Sequence, residues 1–225
     1  MVARLVIQTV VWILGMAILL FVGAGTWRWP QAWVLMVELC GLSLAVGLWL
    51  ARYDPALLRE RMRGLTQPGQ KRWDKVGLVC IMAFWCAWFV LMALDAKRFH
   101  WSSMPAFWQW LGAASIAFCL YACYRTFREN SFAVPIVKLQ GDRGQTVVRT
   151  GPYRLVRHPM YAGALFMFFG TPLLLGSWWG LATSPVLCAA VAVRAVLEER
   201  MLEAGLQGYA DYKATVRYRL VPFVW

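Results

Sequence analysis

Long apolar runs separated by short polar blocks dominate the chain. Five runs approach the roughly 20 apolar residues that a helix needs to cross a bilayer: Leu5–Gly25, Ala32–Ala51, Val76–Leu94, Phe107–Tyr124 and Tyr161–Trp178. A sixth, Leu181–Leu197, turns amphipathic towards its end and continues into "RAVLEERMLEAG". Only the short "SWWG" lies between the last two runs, so they should form a helical hairpin. Apart from "VVRTG", which has the look of a short extended piece, the pattern is helical throughout. The predicted fold is all-α: one polytopic integral membrane bundle over residues 1–225, with about six spans and a small cytoplasmic part. The first run is too long for a signal-peptide core and lacks a clear cleavage site, so it is expected to stay as a span.

Aromatic and charged residues orient these runs. Trp27, Trp29, Trp101, Trp108, Trp178 and Trp179 stand at run ends, as in an interfacial belt. Arg52 to Lys75 and Arg125 to Arg157 hold seven Lys/Arg each, and the tail from Arg194 holds five more. The loops between them carry only Arg28, Lys97 and Arg98. The positive-inside rule then puts both termini and both long loops in the cytoplasm, which six crossings satisfy. Composition agrees with a lipid environment: 60% of residues are hydrophobic and 15% charged, against about 25% charged in soluble domains. A net charge of +12, confined to blocks beside apolar runs, suits anionic headgroups rather than nucleic acid. The six cysteines all lie within apolar runs without a CxxC pair. They read as small buried hydrophobes, and no metal site is expected.

Two polar constellations do not belong to ordinary membrane packing. The first is "GPYRLVRHPMYAG", Gly151 to Gly163, fixed directly to the fifth run. Pro159 suits the first position of a helix, which leaves Arg157 and His158 at its N-terminus, where backbone N–H groups favour an anion. Tyr161 and Gly163 follow on the first turn, and Gly163 permits close approach of a flat group or another helix. The second is "RAVLEER": Arg194 and Glu198, four residues apart, share a helix face. They form either a surface pair of a few tenths of a kcal/mol or a charged wall facing a cavity. A cationic helix start beside carboxylates complements a zwitterion, and Tyr153 and Tyr161 offer flat surfaces for a purine. S-adenosylmethionine meets that description. The only early GxG, in "GAGTW", follows no strand, so a dinucleotide-binding Rossmann domain is not indicated. Glu38 lies mid-run, where the plain expectation is pairing with an arginine of a neighbouring helix. Lys71 to Lys75, "KRWDK", reads as the start of a span with a tryptophan anchor. The tail "GYADYKATVRYRLVPFVW" suits equally a surface-lying segment and the cover of a site.

From about Val137 to Trp225 the chain resembles the isoprenylcysteine carboxyl methyltransferase and phospholipid methyltransferase superfamily. Arg157, His158, Pro159, Tyr161 and Gly163, a hydrophobic hairpin, and then Glu198 and Glu199 carry the resemblance. It divides the chain into N-terminal spans with the first cytoplasmic loop, 1–136, and a cofactor-binding part, 137–225. It implies S-adenosylmethionine-dependent methyl transfer to a lipophilic or membrane-associated acceptor, of the isoprenylcysteine carboxylate, phospholipid amine or small thiol class. The resemblance implies that Gln140, Gln145, Thr146, Val147, Val148, Tyr153, Arg157, His158, Pro159, Met160, Tyr161, Gly163 and Glu198 hold the cofactor. Arg194 would orient the acceptor, and Glu199 would support the site or remove a proton. NADPH-dependent membrane reductases of the sterol reductase type have similar C-termini and form the rival reading. Met160 and Ala164 stand where those enzymes typically carry an asparagine and an acid. A non-catalytic membrane protein is the third possibility.

Overall fold

The computed structural model describes residues 1–225, and every regular element in it is helical. Eight helices follow in order: α1 Val2–Val22, α2 Pro30–Tyr53, α3 Pro55–Arg61, α4 Arg72–Arg98, α5 Ala106–Glu129, α6 Pro159–Leu175, α7 Trp178–Gly205 and α8 Tyr209–Thr215. The helices α1, α2, α4, α5 and α7 are long and apolar enough to cross a membrane. The 17 residues of α6 span about 25 Å at the α-helical rise, a little short of a hydrocarbon core. The shorter member of the hairpin is therefore α6, and the run expected to turn amphipathic becomes the 28-residue α7. "VVRTG" forms no strand; it is loop leading into a 3-10 turn at Gly151–Arg154.

Local chemistry sets the helix ends. Proline opens α2, α3 and α6, where its missing N–H costs nothing. Asp54 caps α3 by accepting from Leu57 N at 2.9 Å. Gly176, at φ +83°, ends α6, with its N–H on Pro172 O and Leu173 O. Pro172 lies inside α6 and strips the Phe168 carbonyl of its helical donor. The Ser184 hydroxyl of α7 donates to that carbonyl at 2.7 Å, so a breaker in one helix is repaired by its hairpin partner.

The bundle packs mainly through α5 and α6. At Gly112 a side chain would run into the backbone of Gly170 and Leu174. Small residues let two backbones approach within van der Waals reach in lipid, where no hydrophobic driving force separates helix from tail. Leu20, Leu35, Phe89, Met92, Ile116 and Leu187 fill the common core, and Trp88 donates its indole N–H to Gly180 O at 2.8 Å. Ile7, Val11, Val22, Val79, Phe107 and Val193 point outward, as expected for surface in contact with acyl chains. At one end of the bundle Asp95 accepts from Ser102, Ser177 and Trp179 N and ties α4 to the α6–α7 turn. The other end carries the loops and the polar cavity.

Candidate functional site

Three segments meet at that polar end. The loop between α5 and α6 folds onto α3 and the start of α4. Lys138 bridges Glu60 and Gln67 at 2.8 and 3.0 Å. Asp74, buried, accepts from Gln70, Val137 N and Arg194 at 2.8 Å each. Arg194 also donates to Pro135 O at 2.6 Å, and its guanidinium stands 5.4 Å from the Tyr161 ring centre. The sequence spacing suggested Arg194 pairing with Glu198. The tertiary fold gives Arg194 to Asp74, 120 positions away, and frees Glu198 for the Tyr161 hydroxyl at 2.6 Å. The "KRWDK" segment thus supplies a buried anion rather than only a span start.

Glu199 anchors the second layer. Its two oxygens accept from Arg157 Nε at 2.7 Å and Arg219 Nε at 3.0 Å, and His158 Nε2 stands 3.1 Å away. Arg157 further donates to the carbonyls of Val216 and Arg217. The backbone N–H groups of Arg157 and His158 donate to Tyr218 O and Arg219 O. The tail is stitched over the start of α6. Of its two sequence readings, the structure realises the cover up to Leu220, while Val221 to Trp225 stay exposed.

Between these layers lies a cavity with about 740 Å³ of space between its walls, counted out to its open side. Gln140, the stretch Gln145 to Val148, Tyr153, the stretch Arg157 to Tyr161 and Glu198 all line it. Arg194 and Glu199 sit behind the wall, and Gly163 is turned away, with Ala122 of α5 packed where its side chain would be. Gly163 serves helix approach, the second of its two sequence readings.

The wall is built from defined partners. His158 stacks on Tyr161 with planes 7° apart. Because Pro159 has no N–H, Met160 and Tyr161 are the first α6 residues with amide donors lacking an upstream helical acceptor. Gln140 is fixed through Phe132 O and Arg143, and its N–H donates to Gln145 Oε1 at 2.7 Å. Asn130 donates to the Tyr153 hydroxyl at 2.6 Å, and the Tyr212 hydroxyl donates to Tyr153 O at 2.8 Å. Burial pushes the phenols of Tyr153, Tyr209 and Tyr212 up from their ordinary range, so all three remain neutral. The Tyr209 hydroxyl is buried in this wall without a hydrogen-bond partner in the chain. Such an orphan is left to a water or a ligand atom.

Sequence reasoning missed Asn130, Phe132, Leu202, Leu206, Tyr209 and Tyr212. Leu202 and Leu206 continue the face of Glu198 at four-residue steps, a signal present in the sequence. The tyrosines depend on the path of the tail. Elsewhere, Glu38 does not meet an arginine; its Oε2 is buried without a partner. No group of His, Cys, Asp and Glu has the arrangement of a metal site.

Residues 107–207 match the family model described as phospholipid methyltransferase. The matched segment runs from the start of α5 to just beyond the end of α7, through the loop that carries the cavity wall. That family model belongs to the superfamily of membrane methyltransferases that includes the isoprenylcysteine carboxyl methyltransferases. A search of curated proteins finds no significant match.

Proposed function

From the match of residues 107–207 to the phospholipid methyltransferase family model, we propose that the cavity binds S-adenosylmethionine and that the chain methylates a lipophilic acceptor. The observation that carries this reading is a single enclosure bearing a carboxylate, Glu198, a helix start and an orphan tyrosine hydroxyl. When bound, S-adenosylmethionine supplies a methyl group on a positively charged sulfur, open to direct attack by a nucleophilic acceptor atom.

The residues present fit such a molecule. Glu198, oriented by the Tyr161 hydroxyl, pairs with an ammonium group. The amide donors of Met160 and Tyr161 at the start of α6 favour a carboxylate. Tyr153, His158, Tyr209 and Tyr212 offer flat or hydrogen-bonding walls for a purine and a ribose, and the backbone from Gln145 to Val148 offers polar edges. Gln140 holds that strip in place. Glu199, with both oxygens engaged by Arg157 and Arg219, supports the site. Arg194, held by Asp74 and Pro135 O behind the wall with its guanidinium 5.4 Å from the Tyr161 ring, is assigned to the acceptor side of the site as a positioning residue. Catalysis by the protein is then mostly proximity, orientation and exclusion of water. Both termini and the cavity face the cytoplasm in this reading, following the basic loops.

Calorimetry on the detergent-purified protein tests the proposal. S-adenosylhomocysteine should bind, and Glu198→Gln should weaken it by about 10- to 100-fold, the loss of one charge-assisted hydrogen bond. Binding of NADPH with none of S-adenosylhomocysteine would transfer the protein to the reductases. Membranes incubated with radiolabelled methyl donor should show a labelled lipid.

A further inference from the structure

A second cavity lies on the other side of Met160. It runs between α1, α2, α4 and α5, with about 1230 Å³ of space on the same measure. Its lining on α1 reaches from Leu5 to Met16, eleven residues or about 16 Å along a helix. Most of that lining is apolar, and the cavity starts at the level of the cofactor cavity, because α3 closes its polar end.

One residue in it is out of place. Arg61, the last residue of α3, lines this chamber. Its Nη1 donates to Ala133 O at 2.7 Å and lies 4.0 Å from the Met160 sulfur. Its charge lies 4.1 Å from the centre of the Phe127 ring. No carboxylate pairs with it, and Nε and Nη2 have no acceptor in the chain. Lys138, Arg157, Arg194 and Arg219 each have a carboxylate partner, and half-buried Arg143, which has none, spends its guanidinium on Gln140 and Ser131. Burial also pulls the Arg61 guanidinium down to about 10, which still leaves it charged at neutral pH. An unpaired cation in an apolar chamber is costly unless an anion joins it.

Ala133 and Met160 touch Arg61 and also line the cofactor cavity. The two cavities therefore share a wall. We propose that the chamber is the acceptor site, and that it takes an amphiphile whose alkyl or isoprenoid tail lies between α1 and α2 while its oxyanion pairs with Arg61. The proposal rests on the methyltransferase reading and narrows it: the acceptor is an anionic lipid, with the negative group close to the atom that is methylated. Thr9 and Ser43 keep the chamber open where bulkier residues would fill it, and Gly47 admits the Leu5 side chain packed against it.

Matched probes test this in a nonionic detergent. Dodecyl phosphate should bind the purified protein at least tenfold more tightly than dodecanol, read by calorimetry or thermal shift. Arg61→Gln should reduce that preference to within about twofold, and Arg61→Lys should keep most of it. S-adenosylhomocysteine affinity should stay within about threefold of the parent in both. Should Arg61→Gln fail to fold, Ser43→Phe serves instead: it fills the chamber and should abolish binding of both probes without weakening S-adenosylhomocysteine. Equal binding of dodecyl phosphate to the parent and Arg61→Gln overturns the proposal, as does undiminished probe binding by Ser43→Phe. A parent that binds dodecyl phosphate but no S-adenosylhomocysteine keeps the chamber as an anionic-lipid site and removes the methyltransferase reading beneath it.

Discussion

Glu198 and Glu199 are neighbours in sequence with opposite surroundings. One helix position turns a side chain by about 100°, so Glu198 meets Tyr161 and the cavity while Glu199 meets three basic residues. Their neutralisation should separate cleanly. Glu199→Gln leaves buried Arg157 and half-buried Arg219 without their anion, and it should destabilise the protein by about 3–5 kcal/mol, read as a lowered thermal midpoint in detergent. Glu198→Gln should leave that midpoint nearly unchanged and act on ligand affinity. Tyr209 makes a sharper test. Its hydroxyl is an orphan in the free protein, so Tyr209→Phe removes a desolvated group that gains nothing there. Free-protein stability should hold or rise, whereas S-adenosylhomocysteine affinity should fall about fivefold, roughly one hydrogen bond.

At the level of elements, the hairpin of α6 and α7 and the small α8 decide the site. Pro172 would weaken α6 but for Ser184, whose hydroxyl satisfies the Phe168 carbonyl. Ser184→Ala should cost about 1–3 kcal/mol, the desolvation of one buried carbonyl, and hydrogen exchange should rise in the last turns of α6. Helix α8 is held by tyrosines that burial keeps neutral. Their folded affinity for protons exceeds that of the unfolded chain. The stability they confer is therefore full below the ordinary tyrosine value of about 10 and is lost as pH rises above it. Alkaline unfolding should begin above about pH 10, and Tyr212→Phe should flatten that limb when melting is followed against pH.

On the scale of the whole molecule, the chain places its charged layer at one end and its lipid-facing surface around the rest. If both long loops are cytoplasmic, Arg149→Cys should react with a membrane-impermeant maleimide only after the membrane is opened. Arg28→Cys should react in intact cells, the parent's own cysteines giving the background. The reverse pattern would put the cavity on the outer side.

Hydropathy alone fixed the helical class and the approximate spans, because a bilayer admits only backbones that satisfy their own hydrogen bonds. Local spacing also marked His158 to Tyr161 and Glu198, since helix starts and four-residue steps are properties of the chain itself. Partnership was another matter. Arg194 turned to Asp74, Arg157 to Glu199 and the tail, and Arg61 to no acid at all. Nothing local separates these arginines. Which buried charge meets which depends on helices brought together from distant parts of the sequence, and each pairing follows the desolvation cost at its own place in the packed bundle.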